Sequence, residues 1–239
     1  MVLKMVLTGD NHLNYYNQRM GSRLRDRRSW IGQAWRQTVD YAIENKVDLY
    51  LHLGDLFDQV SPRNPPRARV VEAFRELDEA GIQAFILAGN HEAPASMRDG
   101  ASPHSVIDEA GFATVFENAL SFNQKVIEID GRTVSVAGMS YNRRLAPGKD
   151  PLEDLAIPAG ADFNIAMLHY SIERIAPPRW EEPQISVNSL ERNRQIDLFA
   201  MGHIHAHGSI KVGDSLVLYP GATERFDFGE SGHETGFFL

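Results

Sequence analysis

The stretch Val47-Asp48-Leu49-Tyr50-Leu51-His52-Leu53-Gly54-Asp55 decides the fold. An apolar run of strand length that ends in Gly-Asp predicts a buried strand, followed by a tight turn that presents a carboxylate. Residues 2–8 and 82–88 repeat this pattern, and residues 30–45 and 67–80 have the apolar spacing of helices. Strands that alternate with helices predict a layered α/β domain whose neighbouring strands run parallel.

The second half of the chain has a different pattern. Two β-hairpins are predicted around the turns Asp130-Gly131 and Gly213-Asp214. Residues 164–168 and 197–201 are further apolar strands, each of which runs into a histidine. We therefore expect two packed sheets with helices outside them. Residues 235–239 have a strand pattern that stops at the last residue, so we expect this sequence to be a piece of a longer protein.

Composition narrows the class of protein. The chain has 239 residues, 43% of them hydrophobic, a net charge of −8 and no cysteine. These values are ordinary for one globular domain, and they exclude disulfides and thiolate metal sites. The longest apolar runs are too short to span a bilayer, and the first residues do not resemble a signal peptide. We therefore expect a cytoplasmic protein with no membrane partner.

The charge is distributed unevenly. Six arginines and one acid lie between Arg19 and Arg36, so this basic stretch carries +5 in an otherwise acidic chain. It directly follows Asp10-x-His12, and aromatic residues are interleaved with its arginines. We predict that the stretch contacts a phosphate-bearing polymer, with Tyr15, Arg19 and Arg23 as candidate substrate-binding residues. A solvated arginine-rich loop is the alternative.

Polar residues of metal-ligand type follow five predicted strands. The carboxyl ends of neighbouring parallel strands meet at one crevice, so these side chains are expected to converge there. The set is Asp10, His12, Asp55, Asn90, His91, His169, His203 and His205.

The make-up of this set indicates its chemistry. Imidazole and oxygen ligands without thiolate favour manganese, iron or zinc. Seven ligands are too many for one ion and fit two ions that share a carboxylate. Two such ions can activate a bridging water and stabilise an in-line displacement at phosphorus. His91 is the eighth residue, beside a ligand, and is available to donate a proton.

The series Asp10-x-His12, Gly54-Asp55, Gly89-Asn90-His91, His169 and Gly202-His203-x-His205 resembles the signature of the calcineurin-like metallophosphoesterases. The resemblance implies a four-layer α/β/β/α sandwich. It also implies that one ion is held by Asp10, His12, Asp55 and His205, and the other by Asp55, Asn90, His169 and His203. His91 falls on the catalytic histidine of the family.

One branch of the family is the most similar. Gly54-Asp55-Leu56-Phe57-Asp58, residues 199–205 and the segment at 219–230 resemble the SbcD-type DNA double-strand-break repair nucleases, also known as the meiotic recombination eleven family. This resemblance implies a nuclease domain over residues 1–239 that cleaves DNA phosphodiester bonds with two divalent ions, Mn²⁺ being expected. The family's cap domain and ATPase-binding segment would lie outside this sequence.

The same resemblance implies partners. They are DNA, an SMC-like ATPase and a second copy of the chain, paired through residues 67–80 and 102–110. The side chains of Val70, Val71, Phe74 and Leu77 in the first segment could equally face the domain's own core.

Two departures from the branch are visible. Asp58 stands where many archaeal members have a histidine that assists exonuclease chemistry, and Glu92 replaces the commoner aspartate after Gly-Asn-His.

Two alternative functions share the ligand set or the fold. One is a phosphoesterase for cyclic nucleotides or other small phosphodiesters, and the other is a metal-free scaffold.

The remaining histidines are interpreted as structural or unassigned. His52 lies inside a predicted strand and is expected in the core, whereas no role is assigned to His104, His207 or His233. Arg225 and Asp227, near the last hairpin, are expected to pair with each other.

Overall fold

The computed structural model describes residues 2–94, 102–173, 175 and 181–239. A four-stranded, fully parallel sheet is formed by the first half of the chain, with its strands in sequence order. Its strands are β1 (Met5–Thr8), β2 (Leu49–His52), β3 (Gln83–Leu87) and β4 (Thr114–Phe116). The predicted strands at 2–8, 47–53 and 82–88 are thus confirmed, with shorter bounds.

A six-stranded sheet is formed by the second half. Its strands are β5 (Asn123–Ile129), β6 (Arg132–Met139), β7 (Phe163–His169), β10 (Leu198–Gly202), β11 (Gly208–Val212) and β12 (Ser215–Tyr219), and the short pair β8 (Ser171–Ile172) and β9 (Gln184–Ile185) stands apart. The order is β11-β12-β10-β7-β6-β5, with parallel pairing in the centre. Both predicted hairpins are confirmed as antiparallel pairs at its two edges.

The helices cover the outer faces of the sheets. They are α1 (Leu24–Glu44), α2 (Asn64–Glu79), α3 (Ser105–Glu109) and α4 (Val187–Arg192), with 3-10 turns at Gln18–Arg23 and Phe228–Glu230. Apolar side chains of α1, α2 and α3 form one core with β1, β2 and β3, and Leu190 of α4 packs on the outer face of the six-stranded sheet. The order helix, sheet, sheet, helix confirms the predicted four-layer α/β/β/α sandwich.

Two helix boundaries were predicted wrongly. Helix α1 begins at Leu24 and not at residue 30, so most of the arginine-rich stretch is helical. Helix α2 begins at Asn64 because Pro65 and Pro66 occupy its first turn, where the missing N–H groups of proline would have no helical partner in any case. Proline content alone predicts a loop there.

A third core holds the two sheets together. Leu51, Leu53 and Phe85 of the first sheet meet Val136 and Met167 of the second, and all are fully buried. Each sheet buries one face in this core and the other face under helices. The strands are therefore apolar on both faces, and they appear in the sequence as continuous runs of apolar residues. This packing fixes where the strand ends of one sheet lie relative to those of the other.

The last residues pair with the edge of the first sheet. The amide nitrogen of Phe238 donates to the carbonyl oxygen of Leu7, and the reverse hydrogen bond is also present, at 3.1 and 3.0 Å. The strand expected at 235–239 is therefore a single bridge and not a full strand.

The face of α2 that was considered for dimer formation points inward. Val70, Phe74 and Leu77 are buried in the chain's own core, whereas Val71 is only partly buried. These three side chains are therefore not available to a partner, and the homodimer stays a prediction. Among the described helices none has the length and apolar content needed to cross a membrane.

Phe116 gives a direct test of the core between the sheets. Its ring is 1% exposed and stacks on Phe85 with centroids 5.9 Å apart. We expect Phe116→Ala to lower the free energy of unfolding by about 3–5 kcal/mol, because it leaves a cavity where two sheets meet. Phe228→Ala is the matched control, because Phe228 is 99% exposed and should shift stability little. Urea denaturation of both variants measures the difference, and equal midpoints would contradict this packing.

Candidate metal centre

The predicted site residues come together at the carboxyl ends of strands from both sheets. Backbone turns after β1, β2, β3 and β10, and the last residue of β7, supply them. All eight lie in one connected cluster, namely Asp10, His12, Asp55, Asn90, His91, His169, His203 and His205.

The donor atoms form two neighbouring groups. In the first, the Nε2 atoms of His12 and His205 are 3.1 Å apart, and Asp10 Oδ1 lies 4.0 Å from His205 Nε2. The same Asp10 oxygen is 3.9 Å from His169 Nε2, so its carboxylate lies between the two groups. Three sets of side chains have donor atoms close enough to hold a metal, namely Asp10, His12 and His205, Asp10, Asp55 and His169, and His12, Asp58 and His91.

The second group is centred on an amide oxygen. Asn90 Oδ1 is 2.9 Å from His203 Nδ1 and 3.1 Å from His169 Nε2. Asp55 Oδ2 is 3.3 Å from the same His169 nitrogen. Carboxylate, amide oxygen and imidazole nitrogen thus point at one another with spacings that suit ligands of a common cation.

Each of three histidines is anchored through its outer nitrogen. His169 Nδ1 donates to the carbonyl oxygen of Leu53 at 2.6 Å, and a carbonyl oxygen can only accept. His205 Nδ1 faces Glu230 Oε1 at 2.6 Å, and His203 Nε2 faces Glu182 Oε2 at 2.8 Å. Each anchor places the proton on the outer nitrogen, so that the inner nitrogen keeps a lone pair for a metal.

This arrangement fits divalent cations. The inner nitrogens of His12, His203 and His205, and that of His169, face oxygens or each other. Burial disfavours charge on Asp55, yet His169 outweighs it and lowers the Asp55 pKa. Burial opposes charging of His169 too, but the charge of Asp55 raises the His169 pKa to about 9. Protons thus compensate the carboxylates where a cation would otherwise do so.

His91 lies beside the donor cluster and is held from two sides. Its backbone nitrogen donates to Asp55 Oδ1 at 2.9 Å, and its Nδ1 donates to the backbone carbonyl oxygen of Asp58 at 3.1 Å. Burial opposes protonation of the ring, but the Asp58 carboxylate, 3.4 Å from Nδ1, and Asp55 raise the His91 pKa to about 9. Nε2 has no protein partner among the described residues, so it is available to a substrate.

Asp58 connects two histidines of the cluster. Its Oδ1 lies 3.5 Å from His12 Nδ1 and 3.4 Å from His91 Nδ1, while its Oδ2 accepts from the backbone nitrogen of Tyr16. The residue that departs from the archaeal pattern therefore orients the cluster.

The backbone is strained at the ligand positions. Asp10, His12, Asp55 and His203 all have positive φ angles, of 51°, 52°, 52° and 88°. Such conformations are unfavourable for residues with a Cβ and concentrate at functional sites. Gly89 permits the close approach of two turns, since a Cβ there would lie 2.2 Å from Asp55 Oδ1.

Several site residues escaped sequence analysis. Glu182 and Glu230 anchor histidines, the ring of Phe226 packs edge-on against His12 at 4.6 Å, and Tyr141 stacks on His203. Glu230 and Phe226 lie in the 219–230 segment that carried the resemblance, which was the available signal. No pattern marked Glu182 or Tyr141.

Glu92 and His104 form a buried pair that supports the turns after β2 and β3. Glu92 is fully buried and accepts from the backbone nitrogens of Phe57 and Gly89, at 2.6 and 3.2 Å. His104 Nε2 lies 2.9 Å from Glu92 Oε2, the oxygen that also accepts from Gly89, and its ring stacks on Phe57. His104, to which no role was assigned, therefore helps to hold the turns that carry Asp55 and Asn90.

Tyr15 does not lie where the prediction placed it. The ring is 6% exposed and packs edge-on against Phe226 at 5.2 Å, so it has no face free for a substrate. Arg19 and Arg23 are exposed, on the 3-10 turn before α1. His52 is buried as expected, with Nε2 2.5 Å from Asn11 Oδ1, and burial lowers its pKa well below the usual value.

The segment after the last hairpin differs in detail from the prediction. Arg225 donates to the carbonyl oxygen of His233, and Asp227 caps the 3-10 turn by accepting from Gly229. The two are structural, but they do not pair with each other. His207 is half exposed and faces Glu234 at 3.8 Å, away from the donor cluster.

A family model described as calcineurin-like phosphoesterase matches residues 3–207. The chain belongs to the calcineurin-like phosphoesterase family. This phosphoesterase is 26% identical over 225 residues to the DNA double-strand break repair protein Mre11 of Methanocaldococcus jannaschii, covering 93% of the chain and 57% of that protein. It is 28% identical over 220 residues to the protein of the same name from Thermoplasma acidophilum, covering 90% and 54%.

This phosphoesterase spans about half the length of these curated relatives. Among solved structures, a dimetal phosphatase from Danio rerio superimposes with a TM-score of 0.55 at 11% identity, covering 93% of this chain and 88% of that one. At that identity the likeness supports the fold alone.

Glu230 provides a test of the histidine anchors. We expect Glu230→Gln to weaken Mn²⁺ binding by about 10–100-fold, because the amide no longer fixes His205 through a charged acceptor. Glu234→Gln is the control, as Glu234 is 87% exposed and lies 3.8 Å from His207. Isothermal titration of Mn²⁺ into both proteins measures the effect. Equal affinities would show that the contact between Glu230 and His205 does not support metal binding.

Proposed function

We propose that this chain hydrolyses phosphodiester bonds of DNA with two divalent cations, in the repair of double-strand breaks. The observation that carries the proposal is the crevice in which inward-facing nitrogen and oxygen donors surround two positions next to His91. Family membership supports the phosphoesterase reaction. Similarity to the proteins named Mre11, over at least 90% of this chain, supports DNA as the substrate.

The ligands divide between two positions. Asp10, His12, Asp55 and His205 would hold one ion, and Asp55, Asn90, His169 and His203 would hold the other. Bound there, two divalent cations would supply the positive charge that a phosphodiester requires and would activate the attacking water. The protein's own contribution is to fix the donors before substrate arrives, through Leu53, Glu182 and Glu230.

His91 would act as the proton donor. Asp58 holds its Nδ1 proton, which leaves Nε2 as the nitrogen that can face the substrate. The Asp58 carboxylate favours the protonated imidazole, so Nε2–H can donate to the leaving oxygen or to a phosphoryl oxygen.

Further properties follow from the same family resemblance and are proposals. They are Mn²⁺ as the working ion, an SMC-like ATPase as partner, and a homodimer. Of the segments considered for the dimer, α3 carries Val106, which is 38% exposed and lies beside Val71 and Arg75.

A comparison of substrates tests the function. The protein, loaded with Mn²⁺, is incubated with a labelled DNA hairpin, with bis(4-nitrophenyl) phosphate and with a cyclic nucleotide. We expect cleavage of the hairpin and of the dye ester, and loss of both when EDTA removes the metal. Turnover of the cyclic nucleotide with an intact hairpin would favour the small-phosphodiester alternative. No turnover of any substrate, with no Mn²⁺ bound, would favour the scaffold.

His91→Ala tests the role of the histidine. We expect DNA cleavage to fall by about 10²–10⁴-fold, because a proton donor is lost, while two metal ions remain bound. His207→Ala is the matched control, since His207 is 48% exposed and lies outside the donor cluster. Metal content by atomic emission and single-turnover rates are measured together. Undiminished cleavage by the His91 variant with normal metal content would refute the assignment.

A further inference from the structure

A second concave surface lies beside the candidate metal centre, between α1 and α2. It has a volume of about 1260 Å³ and is named here the arginine groove. Five arginines line the groove, and Glu72 is the one acid among its described lining residues. Its basic residues are Arg25, Arg28, Arg36, Arg63 and Arg69.

Two of these arginines already have partners in the protein. Arg36 is neutralised by Asp40 and Glu76, at 2.6 and 2.5 Å. The Nε atom of Arg28 donates to the carbonyl oxygen of Tyr15 at 2.7 Å, which holds the guanidinium in place but leaves its charge uncompensated.

The other three arginines carry uncompensated charge. Within the described residues, Arg25, Arg63 and Arg69 have no carboxylate at ion-pair distance. They come from three places, namely α1, the residue before α2, and α2 itself. Their convergence on one groove in a chain of net charge −8 concentrates positive potential at this surface.

Two polar side chains lie in the wall of the groove. Trp35 is 3% exposed and Asn14 is 7% exposed, and both line the groove. Their side-chain nitrogens Nε1 and Nδ2 are themselves buried, so they support the wall and do not reach its surface. The guanidinium groups are therefore the donors that can bind phosphoryl oxygens here.

The groove is longer than a single bound phosphate ion. Arg25, Arg28 and Arg36 share a face of α1, and eleven residues of helix extend about 16 Å. Leu13 and Asn14 line the inner end and directly follow His12, a candidate metal ligand. A bound polymer would therefore run from the groove towards the donor cluster, whereas a single phosphate would engage only part of it.

We propose that the arginine groove binds the phosphodiester backbone of a DNA strand whose continuation enters the metal centre. The inference rests on the proposed action on DNA and adds a binding site outside the catalytic cluster. The contacts are to phosphate oxygens, so binding is independent of base sequence.

The test compares two charge-matched triple variants. One carries Arg25→Gln, Arg63→Gln and Arg69→Gln, and the control carries Arg132→Gln, Arg194→Gln and Lys211→Gln, which are exposed positions outside the groove. Binding of a fluorescent oligothymidine is measured by anisotropy in EDTA over a series of salt concentrations. We expect the groove variant to bind about tenfold more weakly or worse, with the slope of log K against log salt reduced by about 2. The control should change far less.

The indole proton of Trp35 gives a second measurement. In protein labelled with ¹⁵N-tryptophan, its resonance is assigned through Trp35→Phe, and oligothymidine is added. We expect this resonance to shift, while that of Trp30, which is 57% exposed and does not line the groove, shifts less. Equal weakening of both triple variants, or no movement of the Trp35 signal, would overturn the proposal. An equal response to inorganic phosphate at the same phosphoryl concentration would reduce the groove to a site for free anions and also overturn it.

Hydrolysis rates of two substrates distinguish a failure of the groove assignment from a failure of the proposed function. In the groove variant we expect a raised KM for the DNA hairpin and unchanged turnover of bis(4-nitrophenyl) phosphate, which is too small to reach the groove. A wild-type protein that binds oligothymidine through these arginines but cleaves no DNA would refute the proposed function and leave the groove assignment standing.

Discussion

The hydrogen bond from His169 Nδ1 to the carbonyl oxygen of Leu53 joins the two sheets at the site. Leu53 follows the end of β2 in the first sheet, and His169 ends β7 in the second. The 2.6 Å contact is possible because positions 54 and 202 are glycines. A Cβ at Gly54 would lie 2.5 Å from His169 Nδ1, and a Cβ at Gly202 would lie 2.6 Å from it. This contact therefore ties the packed sheets together at the site and sets which nitrogen of His169 faces Asn90.

The part of the site that sequence could predict is the part that strand order determines. Parallel strands deliver their carboxyl ends to one edge, so residues that follow such strands converge whatever lies between them. Asp10, Asp55 and Asn90 were found in this way. The anchors were not, because Glu182 and Glu230 follow no strand and reach His203 and His205 only through tertiary packing.

Sequence patterns also fail to predict where helix α1 begins and that Tyr15 is buried. Both failures arise because contacts between distant segments decide these features. The arginine-rich stretch has no apolar periodicity before residue 30, so its helical state depends on packing that local pattern does not show. Tyr15 was expected at the surface because it stands among arginines, yet Phe226, more than 200 residues later in the chain, covers it. Contacts between distant segments decide such cases.

The charge of the crevice links the proposed cations to the arginine groove. Five carboxylates surround the crevice, namely Asp10, Asp55, Asp58, Glu182 and Glu230. A phosphodiester would be repelled from such a place unless bound cations compensate these charges. In the proposed binding mode, the arginine groove would supply attraction on the approach to the crevice, away from these carboxylates.

The left-handed backbone at the ligand positions affects how inactive forms of the protein should be made. Asparagine tolerates this conformation better than alanine, for which it costs roughly 1–2 kcal/mol. Replacing Asp10 or Asp55 by alanine would therefore remove a ligand and disturb its turn at once. Asparagine would keep the turn and delete only the negative charge, so a substrate complex trapped with that substitution would preserve the shape of the native crevice.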